Sequence, residues 1–159
     1  MTANISLNQF EPNAQLPGLY AYMANRPQPH NLIVSSSQST PLKAGAIVTL
    51  DTSSTNKFAP VIKQAAVTNA IYGVISYDPI DHGMAYAAGQ RCSVAKDGDV
   101  VWLPAAGAIA VGADLYFNSS NKVTSSATPG NSIVGIALTP ASAADELIQV
   151  ELHFAKTSA

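Results

Sequence analysis

Two stretches decide the reading of this chain: "AGAIVTLDTSSTNKF", residues Ala44–Phe58, and "VGADLYFNSSNKV", residues Val111–Val123. Each opens on a small apolar residue and a glycine, runs through apolar residues three and five places after that glycine, and closes in a Ser-rich turn ending in Asn-Lys. The offsets from Gly45 give Val48 and Leu50, and those from Gly112 give Leu115 and Phe117. In a third copy, "AGQRCSV", the offsets from Gly89 give Cys92 and Val94. Alternate residues share a face only in an extended strand, so the pattern predicts short β-strands. The glycine at each entry suits a tight turn that feeds the strand.

A second phrase recurs as "IYGVIS", Ile71–Ser76, and "IVGIAL", Ile133–Leu138. Glycine inside a strand implies a bulge, a barrel bend or a close backbone approach, here at Gly73 and Gly135. The two phrases come in the same order in each half, which indicates an internal duplication whose two units close a barrel. Gly112 and Gly135 stand closer together than Gly45 and Gly73, so the second copy has the shorter loop. "KDGD" before "VVWL" reads as a hairpin turn joining "RCSVA" to the Asp99–Leu103 strand. In "LIQVELHF", Ile148, Val150, Leu152 and Phe154 fall on one face and Gln149, Glu151 and His153 on the other. The expected class is all-β, a compact, mostly antiparallel β-barrel or sandwich.

The first part of the chain differs. Pro12, Pro17, Pro27, Pro29 and Pro41, half of the ten prolines, lie there with the polar run "SSSQST", and no strand or helix period is sustained. Residues 1–43 therefore read as an extended N-terminal arm and residues 44–159 as the β domain. Two readings of the arm stand side by side. It is a loosely ordered leader, or it lies on a neighbouring subunit through Phe10, Leu16, Leu19, Tyr20, Tyr22 and Met23.

Composition narrows the function. Hydrophobic residues form 47% of the 159 residues and charged ones 11%, so the surface is built from Ser, Thr, Asn, Gln, Ala and Gly. The net charge of -2 and scattered basic residues supply no field for a phosphate backbone, which argues against a nucleic-acid partner. The N-terminus lacks the basic start and apolar core of a signal peptide, and no run reaches membrane-spanning length, so the expectation is synthesis in a cytoplasm with no membrane partner.

Chemistry-bearing residues are sparse. His82 with Asp78 and Asp81 in "YDPIDHG" resembles an acid-base or metal cluster, yet Asp-Pro and His-Gly are also ordinary turn pairs. Asp97 and Asp99 in "DGD" lack the later acidic ligands of a calcium loop. Cys92 sits on an inward face with Val94, where a thiol behaves as a small hydrophobe. His30 and His153 lie in unrelated contexts. The reading is of no enzyme, with no catalytic residue, no metal site and no cofactor.

The phrases "AGAIVTLD", "IYGVISYDP", "AAGQRCSVAKDGDVVWLPAAGAIAVGADLYFNSSNKVT" and "IVGIALTPASAADELIQVELHF", in this order, resemble the head decoration, or structural cement, proteins of tailed bacteriophages. The resemblance covers roughly Ala44 to Phe154. It implies a homotrimer on the outer surface of the virion capsid, at three-fold junctions, bridging neighbouring major capsid proteins and stabilising the shell. The alternative is a tail, fibre or carbohydrate-binding β module of a virion.

Overall fold

The computed structural model describes residues 17–18, 32–77 and 85–156, and no helix occurs among them. One sheet holds β1 (Leu32–Val34), β2 (Ile47–Leu50), β3 (Val61–Gln64), β4 (Gly73–Ile75), β5 (Arg91–Cys92) and β6 (Val94–Ala95) in the order β5-β1-β3-β2-β4-β6. A second holds β7 (Val100–Pro104), β8 (Asp114–Phe117), β9 (Val123–Thr124), β10 (Ser132–Ala137) and β11 (Leu147–Lys156) in the order β7-β11-β10-β8-β9. The all-β expectation holds, with antiparallel pairs throughout except β1 with β3 and the Ala105–Val123 bridge.

Both sheets close on themselves. β5 and β6 are two parts of one run broken only at Ser93, and they pair with β1 on one side and β4 on the other. The second sheet closes where Ala105, just past β7, bridges in parallel to Val123 of β9. The duplicated phrases thus build two small barrels in tandem, rather than two halves of one. We call residues 32–95 barrel 1 and residues 100–156 barrel 2.

Four glycine turns start strands in the same way. Ala46 N–H donates to Lys43 C=O, Gln90 to Ala87, Asp99 to Lys96 and Ala113 to Ala110, at 3.0, 3.0, 3.0 and 3.3 Å. In each turn the glycine just before the donor has φ between 80° and 89°, the left-handed backbone that a type II turn demands at that position. Each turn then docks by a pair of bonds. Gly45 N–H donates to Ile75 C=O and Ile75 N–H to Ala46 C=O; Gly112 N–H donates to Ala137 C=O and Ala137 N–H to Ala113 C=O. Gly89 and Gln90 do the same with Val34, and Gly98 and Asp99 with Leu152.

The register repeats as well. Val48 faces Gly73 and Ile47 faces Val74 in barrel 1, while Leu115 faces Gly135 and Asp114 faces Ile136 in barrel 2. A side chain at Gly73 would run into the Ala95 carbonyl, and one at Gly135 into the Glu151 carbonyl. Ala95 faces Val74 and Glu151 faces Ile136, so the two carbonyls hold matching places. A bulge between Ile133 and Gly135 shifts the register of β10, as glycine inside that strand implied. The loop after β2 closes from Asp51 N–H to Val61 C=O and that after β8 from Asn118 N–H to Lys122 C=O, which locates the extra length of the first copy.

Burial follows the third-residue rule in all four turns: Val48, Cys92, Val101 and Leu115 are all buried. The fifth residue is buried in Val94, Leu103 and Phe117 but not in Leu50, which is 41% exposed where β2 runs out into the long loop. The inside of barrel 1 is Leu32, Val34, Leu42, Val48, Ile62, Ile75 and their neighbours. The outer row Ile47, Val74 and Ala95 instead joins the core of barrel 2 with Leu115, Phe117, Val134 and Ile148.

Two expectations are corrected. "KDGD" is not a hairpin: β6 pairs with β4, β7 pairs with β11, and the turn carries the chain from one barrel to the other. Its type II geometry lacks the twist that a tight hairpin needs. Trp102 is half-buried, because it lies on the outer face of β7 opposite Gln149. The strand region also begins before Ala44, with β1 and the Leu42–Tyr86 bridge.

Candidate functional site

The residues proposed from sequence as contact points of the arm, Phe10, Leu16, Leu19, Tyr20, Tyr22 and Met23, lie outside the described residues, as do His30, Asp78, Asp81 and His82. Pro17 and Gly18 are described. Gly18 N–H donates to Trp102 C=O at 2.8 Å and Gly18 C=O accepts from Tyr77 N–H at 2.9 Å, so this dipeptide stitches barrel 2 to barrel 1. Pro17, Leu42, Gly45, Pro104 and Asn121 line a cleft of about 290 Å³ beside it.

The other chemical candidates are spent on the backbone. Asp99 Oδ2 accepts Lys96 N–H at 2.7 Å and Asp97 Oδ1 accepts Phe154 N–H at 2.7 Å, which leaves His153 Nδ1 3.7 Å from Asp97. Among the described residues no group of His, Cys, Asp and Glu is placed to hold a metal ion. Cys92 is buried, and that burial pushes its thiol up to about 12. Lys96 Nζ donates to Tyr72 C=O at 2.6 Å and lies 3.1 Å from the centre of the Tyr72 ring, with its pKa lowered chiefly by burial.

The mouth of barrel 1 is built differently. Asp51, at the end of β2, accepts Ser35 Oγ–H at 2.5 Å, Ser53 Oγ–H at 2.7 Å and Lys63 Nζ–H at 3.1 Å. These bonds, Ser35 first, hold the carboxyl well below the usual carboxylate range, against the opposing effect of burial. Beyond Asp51 the long loop turns on Asn56, whose Oδ1 accepts Phe58 N–H at 2.8 Å and Ala59 N–H at 3.2 Å. The result is a braced loop that carries a phenylalanine 99% exposed. Ser35, Ser37, Asp51, Ser53, Asn56 and Phe58 line an open depression of about 660 Å³.

The matching mouth of barrel 2 is closed. Asn118 repeats the Asp51 geometry, accepting Ser120 N–H at 2.9 Å as Asp51 accepts Ser53 N–H at 3.2 Å. Its short loop lies on barrel 1, where Asn121 Oδ1 accepts Ile47 N–H at 3.3 Å. Ser132 Oγ–H donates to Asn69 C=O nearby. Lys122 and Asp145 pair at 2.6 Å across the rim, at the places held by Val61 and Gly89 in barrel 1. Phe58 is not singled out by the sequence, because it follows the polar Asn56-Lys57 turn outside the alternating strand pattern. The signal available was the extra length of the first loop together with an aromatic residue at its end.

This arrangement offers an exposed, low-charge docking surface. A family model described as phage cement protein matches residues 28–152. No curated protein matches the chain.

Proposed function

Since the chain belongs to the phage cement protein family, we propose that it binds the outside of an assembled phage capsid as a homotrimer at three-fold junctions and stabilises the shell by bridging major capsid proteins. The family is one of structural, capsid-stabilising virion proteins, so the work is mechanical and involves no turnover. The observation that carries the reading is the match over residues 28–152, which takes in barrel 1 and all of barrel 2 but the last four residues of β11. The surface supports it: with 11% charged residues, little charge is stripped of water when the protein packs on a shell. Many copies, each touching several shell subunits, resist outward pressure even when a single contact is weak. The arm, with Phe10, Leu16, Leu19, Tyr20, Tyr22 and Met23, belongs to this proposal as a capsid contact.

The test is co-sedimentation of the purified chain with undecorated capsids, together with its mass by light scattering. Saturable pelleting of a trimer is the expected result, and replacing Phe10, Leu16, Leu19, Tyr20, Tyr22 and Met23 together by serine should weaken it. A chain that never pellets with any shell but binds a glycan would replace this reading with a carbohydrate-binding virion module.

A further inference from the structure

The duplication supplies an internal template for a contact between copies. Within one chain, the mouth of barrel 2 sits on the outer wall of barrel 1. Phe117 at that mouth shares a core with the wall row Ile47, Val74 and Ala95, and Asn121 bonds to Ile47. Among the described residues the corresponding mouth of barrel 1 has no such cover: Leu50, in the position of Phe117, is 41% exposed and Phe58 is 99% exposed. The corresponding wall of barrel 2 is also uncovered among the described residues. Its row is Asp114, Ile136 and Glu151, in the same register as Ile47, Val74 and Ala95, with both acids exposed and Ile136 half-buried between them.

We propose that the mouth of barrel 1, with Leu50 and Phe58, docks on the Asp114–Ile136–Glu151 wall of barrel 2 in a second copy of this chain, head to tail. This deepens the homotrimer reading and rests on it.

Two observations select a second copy as the occupant. The counterparts of this pair, the mouth of barrel 2 and the wall of barrel 1, already fit each other within the chain, where two barrels of one design meet. The proposed mouth and wall also complement each other in charge. The mouth presents the exposed Lys57 beside Phe58, while Lys63 is tied to Asp51; the wall presents Asp114 and Glu151 on either side of Ile136. The covered wall inside the chain is wholly apolar, whereas the free one is acidic with an apolar centre, the composition of an interface whose partners are also soluble apart. A mouth-to-wall contact uses different surfaces on the two copies, so it closes into a ring only when its rotation does. The extra loop residues that carry Phe58 extend the mouth of barrel 1 beyond that of barrel 2, and give it reach toward a wall on another chain.

The experiment uses the full chain with two single additions, Phe58→Cys and Ile136→Cys, made separately. Phe58 is fully exposed, and Ile136 is on an outer face, so both variants keep the interior intact; the native Cys92 is buried and does not compete. The two proteins are mixed and treated with a short bifunctional thiol crosslinker. Covalent dimers are expected in the mixture and not in either protein alone. A charge test runs beside it: Lys57→Glu should weaken self-association by about tenfold by light scattering, and Asp114→Lys with Glu151→Lys in the same chain should restore it.

An oligomer that shows no mixed crosslink and keeps its mass in Lys57→Glu overturns the mouth-to-wall contact and leaves the homotrimer reading intact. Crosslinking of Phe58→Cys to itself also overturns it, because it makes the contact symmetric. A chain that stays monomeric at all concentrations overturns both, while capsid co-sedimentation of the same sample reports separately on the cement function.

Discussion

Asp145 holds in barrel 2 the backbone place that Gly89 holds in barrel 1. Asp145 N–H donates to Ala105 C=O and Ala105 N–H to Glu146 C=O, as Gly89 and Gln90 do with Val34, and φ is 69° at Asp145 against 80° at Gly89. Only glycine adopts this region freely; aspartate and asparagine tolerate it, and β-branched residues do not. The Lys122 ion pair gives Asp145 a second role, but one of its partners is 71% exposed, so the pair contributes at most about 1 kcal/mol.

The two positions should therefore exchange residues cheaply. Asp145→Gly relieves backbone strain and loses the ion pair, and urea unfolding should show a net change below about 1 kcal/mol. Gly89→Asp has open space for its side chain and should also cost less than about 1 kcal/mol. Valine at either site should cost about 2 kcal/mol, the penalty for a β-branched residue held at positive φ. Equal losses for glycine and valine at 145 would show that the side chain, and not the backbone, governs the site.

Gly135 and Gly112 separate two reasons for glycine. At Gly135 the obstacle is the backbone of β11, which cannot swing aside, so Gly135→Ala should lose about 3 kcal/mol, the upper range for overpacking. Gly73→Ala meets the Ala95 carbonyl at 2.7 Å and should lose somewhat less, about 2 kcal/mol. Gly112→Ala meets nothing within 4 Å and pays only for its φ of 80°, about 1 kcal/mol. Chemical denaturation of the three variants gives the order, and a Gly112 variant as damaged as the Gly135 one would refute it.

These positions also show what could be read from the sequence. The glycine-led strands were legible because a left-handed turn nearly demands glycine and because an alternating pattern follows each one. The fourth turn, at Gly98, was hidden by its reading as a hairpin, and the fifth docking, at Asp145, by the absence of a glycine. Two barrels rather than one could not be seen: closure rests on pairs such as Ala105 with Val123 and Leu32 with Cys92, which join segments far apart in sequence. Low charge pointed to a docking surface in general. The mouth of barrel 1 became visible only when its loop was set against the shorter one that fills the same place in barrel 2.

Cys92 gives a direct probe of barrel 1. Its side chain lies among Leu32, Val34, Ile62 and Ile75, and a thiol pushed up to about 12 supplies almost no thiolate at pH 8. Iodoacetamide should leave the native chain unmodified for hours and label it promptly in denaturant, where the thiol returns to its ordinary range. Rapid labelling of the folded chain would mean that barrel 1 opens readily under native conditions, a result that the shared core of Ile47, Val74 and Ala95 with barrel 2 argues against.

Asp51 sets the acid limit of the long loop. Its folded pKa lies below the unfolded carboxylate value of about 4, so the stability it contributes is complete above that pH and drains away as the pH falls through the folded value. Asp51→Asn keeps the shape but removes the charge that Ser35, Ser53 and Lys63 converge on. Thermal midpoints of the two proteins should differ by a constant amount from pH 8 to pH 5. They should then converge between pH 4 and the most acid pH at which the fold survives, because protonated Asp51 and asparagine are alike in charge. Phe58 rides on the loop that Asp51 anchors, so the same acid range should loosen the mouth of barrel 1, read as faster amide exchange at Ser53 and Ser54. A midpoint difference that is unchanged at pH 3 would show that the advantage of Asp51 over asparagine does not depend on its ionisation.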